Sequence, residues 1–86
     1  MRFRDVEFRW SKGNNKYELI KWYKDCNQNE FCCVIAFFDE TKEGDYDLRT
    51  VGNRFFEDKD AWIVGKHAIE FLNDISQELR NEKELE

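Results

Sequence analysis

Eight consecutive apolar residues, Phe31 to Phe38 (Phe-Cys-Cys-Val-Ile-Ala-Phe-Phe), limit most tightly what this chain can fold into. In an extended strand, successive side chains point to opposite faces. A regular strand here places Phe31, Cys33, Ile35 and Phe37 on one face, and Cys32, Val34, Ala36 and Phe38 on the other. A strand apolar on both sides belongs in a sheet that is covered on both sides. The rest of the chain offers one helical pattern to do the covering. The sequence therefore predicts a sheet with a face left over.

Residues 3–10 alternate, with Val6, Phe8 and Trp10 on one side and Phe3, Asp5, Glu7 and Arg9 on the other. This is the period of a half-buried strand. Ser11 to Lys16 contains Gly13, Asn14 and Asn15 and reads as a turn. Residues 17–24 form a second strand whose alternation is poor, because Leu19–Ile20 and Trp22–Tyr23 are apolar neighbours. A polar loop from Asp25 to Glu30 leads into the third strand, 31–38. A turn from Asp39 to Asp45 leads into a fourth, 46–56, with Gly52 as a bulge or end.

From Asp60 the period changes. Ala61, Val64, Gly65, Ala68, Leu72, Ile75 and Leu79 recur at helical spacing, so the pattern predicts a helix over 60–80. Asp58 or Asp60 can cap its first turn. The small residues at 61, 65 and 68 let the helix approach a sheet closely. The charged tail, 81–86, is expected to fray. Strands followed by one helix indicate an α+β fold: a four-stranded antiparallel meander with the helix on one face, in a single domain spanning 1–86.

The 86 residues build only a thin core, in which 8 Phe, 3 Trp and 3 Tyr supply much of the apolar area. The formal charge is -5, with a net +2 in residues 1–38 and a net -7 in residues 39–86. An acidic second half disfavours a protein that coats nucleic acid, since that affinity comes from neutralising phosphates. The first residues contain no apolar signal segment, and Phe31–Phe38 is far shorter than the roughly 20 residues a membrane helix needs. Three cysteines, two of them adjacent, suit free thiols in a reducing cytoplasm better than a disulfide framework.

Motifs for chemistry are thin. Cys26, Cys32, Cys33 and His67 could ligate zinc, but five residues separate the first two cysteines and adjacent strand residues point apart. Asp39 to Thr50 places oxygen-bearing groups and Gly44 at calcium-loop offsets, yet Thr50 stands where a bidentate Glu is required. A polar hairpin turn accounts for these residues instead. The chain has no glycine-rich phosphate loop, nucleophile elbow or H-E-x-x-H. No catalytic, cofactor or metal residues are assigned, and the chain is read as a non-enzyme without a cofactor.

Cations and aromatics interleave in the first half: Arg4, Arg9 and Trp10, then Lys21, Trp22 and Tyr23. On a spare sheet face, Trp10, Trp22 and Tyr23 would anchor a protein partner, or a second copy through a C2 contact. The alternative is a single-stranded nucleic acid, with Arg4, Arg9 and Lys21 on phosphates and the rings on bases. The stretch Val34 to Glu57, with its acidic glycine turn and Val51-Gly52-Asn53-Arg54-Phe55 element, preceded by Trp22-Tyr23, resembles small uncharacterised proteins encoded by phages and prophages of Gram-positive bacteria. That resemblance implies a phage-derived cytoplasmic protein and carries no activity with it. By analogy with small acidic phage proteins, the expected role is stoichiometric binding, as a homodimer or as an inhibitor of a host factor.

Overall fold

In the computed structural model, which describes residues 1–85 (side chains for 1–78), five strands precede one helix. The strands are β1 (Arg2–Phe3), β2 (Val6–Ser11), β3 (Lys16–Lys24), β4 (Glu30–Glu40) and β5 (Tyr46–Thr50); the helix is α1 (Lys59–Leu85). They form one antiparallel sheet in the order β1-β2-β3-β4-β5. The α+β meander is as the sequence predicts, with one strand more.

The extra strand arises because the expected strand 3–10 folds back on itself. Arg4 adopts φ 55°, and Phe3 pairs with Val6 across the two-residue turn Arg4–Asp5. The Trp22 N–H donates to the Asp5 carbonyl at 2.7 Å and ties this turn to β3. Phe3 thereby joins Val6 on one face, not the opposite one. At the other end, β5 stops at Thr50, ahead of Gly52 at φ 65°. Residues 51–58 return towards the helix and carry the buried Phe55.

A bulge in β4 corrects the simple alternation of the apolar run. Leu19 faces Ala36, but Ile20 faces Val34, so Ile35 is an extra residue. One inserted residue reverses the phase of everything beyond it. Phe31 and Cys33 therefore share a face with Ala36 and Phe38, whereas Cys32, Val34 and Phe37 lie on the other. Ile35 and Ala36 are both fully buried in the core.

The core lies between one sheet face and α1. Val6, Phe8, Leu19, Ile35, Ala36 and Phe38 meet Ala61, Val64, Ala68 and Leu72, with Phe55 wedged beside them. The helix approaches closely at Gly65. A Cβ there would stand 3.1 Å from the Phe55 ring and 3.2 Å from Leu48 Cδ1. Asp58 caps the helix, its Oδ1 accepting the Asp60 N–H at 2.8 Å, and its Oδ2 pairs with the Lys21 ammonium from β3. At the far end Asn73 and Ser76 hold the β4–β5 turn, Asn73 Oδ1 accepting the Tyr46 N–H at 2.7 Å and Ser76 donating to the Gly44 carbonyl. The helix continues through the expected frayed tail to Leu85, where intrahelical bonding persists. Glu86, and the side chain of Leu79 expected on the apolar stripe, lie outside the described residues.

Removing the Asp58 carboxylate takes away an N-cap and the partner of a lysine whose side chain is only 25% exposed. Asp58→Ala should lower unfolding stability by about 2 kcal/mol, as read by urea denaturation.

Candidate functional site

The sheet face opposite α1 is roofed by its own charged side chains. Arg9 Nε donates to Glu18 Oε1 at 2.9 Å, across neighbouring strands. Asp39 accepts from Lys16 Nζ at 2.7 Å and from Arg49 Nε at 2.7 Å. Lys16 and Arg49 also lie over the Phe37 ring, and Arg2 lies over Trp22. Trp22 Nε1 donates to Glu7 Oε1 at 2.9 Å. Long cationic stems cover apolar surface while their heads stay wet, so Ile20 is 0% exposed on a face that no helix covers. Glu18 is buried beneath Arg9.

The six residues expected to bind a partner do not share one surface. Trp22 and Arg9 lie on the roofed face. Register places Trp10, Lys21 and Tyr23 on the helix side, with Trp10 opposite Tyr17 and Tyr23 opposite Phe31. Arg4 sits in the first turn, 3.5 Å from Asp60. Lys21 is held by Asp58, which keeps its ammonium pKa above the ordinary value. The cysteines and histidine are also dispersed. Cys26 is exposed in the 25–29 loop, Cys32 and Cys33 point to opposite faces, and His67 is exposed on α1. Among the described residues no three His, Cys, Asp or Glu side chains converge as a metal site would require.

An apolar hollow instead lies beside the helix. A trough of about 470 Å³ runs between β5 and the first half of α1, with Leu48 and Thr50 on one wall and Trp62, Lys66 and Ile69 on the other. Phe55 closes its floor, and Phe56 flanks it. Trp62 is 54% exposed and Phe56 57%, and both rings lean on Phe55, with centroids 5.1 and 5.6 Å from it. Gly65 lies at the floor of the trough, where Phe55 and Leu48 pack against the helix backbone. Lys66 is the one charged group in the lining.

The strand wall of this trough is an open sheet edge. The Val51 N–H donates to the Ile35 carbonyl at 2.9 Å, and the Thr41 N–H to the Asp45 carbonyl at 2.7 Å. By the alternation of an antiparallel ladder, Asp45, Asp47, Arg49 and Val51 turn their backbone groups to β4. Tyr46, Leu48 and Thr50 turn theirs outward, where no strand pairs among the described residues. Asn73 takes the Tyr46 N–H, leaving Leu48 and Thr50 to face the opening. On the opposite face of this strand, Asp47 stands across from Asp39 and has no ion-pair partner among the described residues.

The trough was outside the sequence reading, although Trp62 gave a signal. It falls off the stripe formed by Ala61, Val64, Gly65, Ala68 and Leu72, which puts a large ring on the flank of a helix.

The roof has a pH signature. The Arg49 guanidinium, then the Lys16 ammonium, lower the Asp39 pKa from 3.8 to about 2. A depressed carboxylate stabilises the fold above its unfolded value and loses that contribution as pH falls through the folded one. Asp39→Asn should therefore cost about 1 kcal/mol near neutrality, a figure reduced for solvent screening. The gap between the two proteins should close between pH 4 and pH 2 (roughly the interval between the two pKa values) in denaturation curves. No protein-family model, curated protein or solved structure matches the chain.

Proposed function

We propose that this chain is a non-catalytic protein-binding module of phage type, acting in the host cytoplasm and making its contact through the trough between β5 and α1. The observation that carries this reading is the coincidence of exposed aromatic surface with an unpaired strand edge. Trp62 and Phe56 supply anchors of the kind that dominate interface energetics. Leu48 and Thr50 supply directional hydrogen-bonding groups beside them. The lining offers one lysine and one hydroxyl, a set better suited to holding a partner than to transforming a substrate. Three free cysteines accord with a reducing compartment, and no helix is long and apolar enough to cross a membrane among the described residues.

The same geometry weighs against the nucleic-acid alternative. Arg9, Lys16 and Lys21 are engaged by carboxylates of their own chain. Phosphate-driven affinity requires cations free to displace counterions. The rings expected to stack bases lie on both faces of the sheet.

Affinity capture from extract of a Gram-positive host, with tagged wild type and variants as bait, tests the reading. A stoichiometric protein partner, including untagged copies of the chain expressed beside the bait, should stay bound when salt is raised. Trp62→Glu should abolish its capture, with a loss of at least about tenfold in affinity, and Trp22→Ala should leave it intact. Capture of nucleic acid that fades with salt, or dependence on Trp22 and Arg9 in place of Trp62, would overturn the proposal.

A further inference from the structure

We infer that the occupant of the β5 edge is a second copy of this chain, paired antiparallel with β5 about a twofold axis so that two five-stranded sheets become one. The inference rests on the reading of the trough as the binding surface and adds the identity of the partner.

Three observations converge on self-pairing. First, the edge is short and self-complementary. Leu48 and Thr50 point their N–H and C=O groups outward, and two such edges can exchange four backbone hydrogen bonds, Leu48 of each copy pairing with Thr50 of the other. An alignment centred on Leu48 also provides four bonds, two between the Leu48 residues and one from each Thr50 N–H to the other copy's Tyr46 carbonyl, because Asn73 occupies only the Tyr46 N–H.

Second, charges on the roofed face match across the seam. Asp47 and Arg49 are exposed neighbours on that face. Among the described residues Asp47 has no ion-pair partner, and it faces the like-charged Asp39. With Leu48 facing Thr50, Arg49 of one copy would stand directly opposite Arg49 of the other and only diagonal to its Asp47. With Leu48 facing Leu48, each Arg49 would stand directly opposite the other copy's Asp47, so the charges select this second register. By symmetry the contact occurs twice.

Third, a twofold axis perpendicular to the sheet keeps both helices on one side. The two troughs then merge beneath them, and Phe56, Trp62 and Ile69 of each copy border one continuous apolar seam. Four hydrogen bonds and two exposed ion pairs alone fall short of the roughly 800 Å² per partner of a stable interface. The aromatic wall supplies the remainder.

The test uses the charges, because they can be exchanged without touching the trough. Asp47→Arg makes an all-basic edge and Arg49→Asp an all-acidic one. Sedimentation over a dilution series should show a dimer for wild type. Each single variant alone should dimerise about a hundredfold more weakly. Mixed in equal amounts, the two variants should recover a dimer, which native mass spectrometry should identify as one copy of each. The double variant Asp47→Arg/Arg49→Asp should pair with itself. Arg49 also supports Asp39, so thermal melting should establish that Arg49→Asp is folded; Asp47→Arg keeps every native ion pair and tests the inference on its own.

A wild-type chain that stays monomeric into the millimolar range overturns the inference. So does a dimer indifferent to both single variants, or a mixture that fails to recover one. A wild-type monomer that still loses capture of a different protein through Trp62→Glu would remove the second copy while sparing the binding surface. A charge-dependent dimer unaffected by Trp62→Glu would do the reverse.

Discussion

A single helix has to shelter a sheet wider than itself. Five strands spaced about 4.8 Å apart span roughly 19 Å, whereas a helix with its side chains is about 10 Å across. Lying on one face, α1 covers the middle of the sheet, where Val6, Leu19 and Ala36 are fully buried. It leaves the opposite face, and the hollow between the outer edge of β5 and Trp62, to other devices. Much of what distinguishes this molecule follows from how those two remainders are treated.

The opposite face is sealed from within. Ion pairs between adjacent strands hold Lys16 and Arg49 over Phe37, and Arg2 lies over Trp22, so exposed carbon gives way to guanidinium and ammonium groups. Each pair is modest because it is partly wet, but together they hold the covering side chains in place. The β5 flank receives no such treatment. Its one lysine stands among rings, and Gly65 lets Phe55 and Leu48 pack directly against the helix at its floor. Shortage of cover is common to both regions, yet only the flank combines it with an unsatisfied strand edge.

Local pattern carried most of the architecture. Period-two alternation located β2, the apolar and aromatic run 17–24 between polar turns located β3 despite its poor alternation, the switch to helical period located α1, and the small residues at 61, 65 and 68 foretold the close packing found at Gly65. What escaped depended on contacts distant in sequence. The bulge at Ile35 exists only relative to β3, and nothing within Phe31–Phe38 marks it. The turn at Arg4–Asp5 lacks the usual glycine or asparagine and is fastened by Trp22, 17 positions beyond Asp5. The turn takes Arg4 out of the expected strand, and ordinary alternation separates Arg9 from Trp10 and Trp22 from Lys21 and Tyr23, so the six proposed contact residues are dispersed. Phe55 and Phe56 were assigned to a strand that ends at Thr50, and the hollow they help to form was invisible for that reason.

Asp58 joins two processes that are usually separable. One of its oxygens satisfies the first turn of α1, and the other engages Lys21 in the middle of the sheet. Beginning the helix and seating it on β3 are thereby coupled through a single side chain. Opening at that junction would release cap and anchor together, whereas the distal turns, held by Asn73 and Ser76, have their own attachments. The helix is consequently moored at two points of different character, and hydrogen exchange along it would be governed by whichever mooring gives way first.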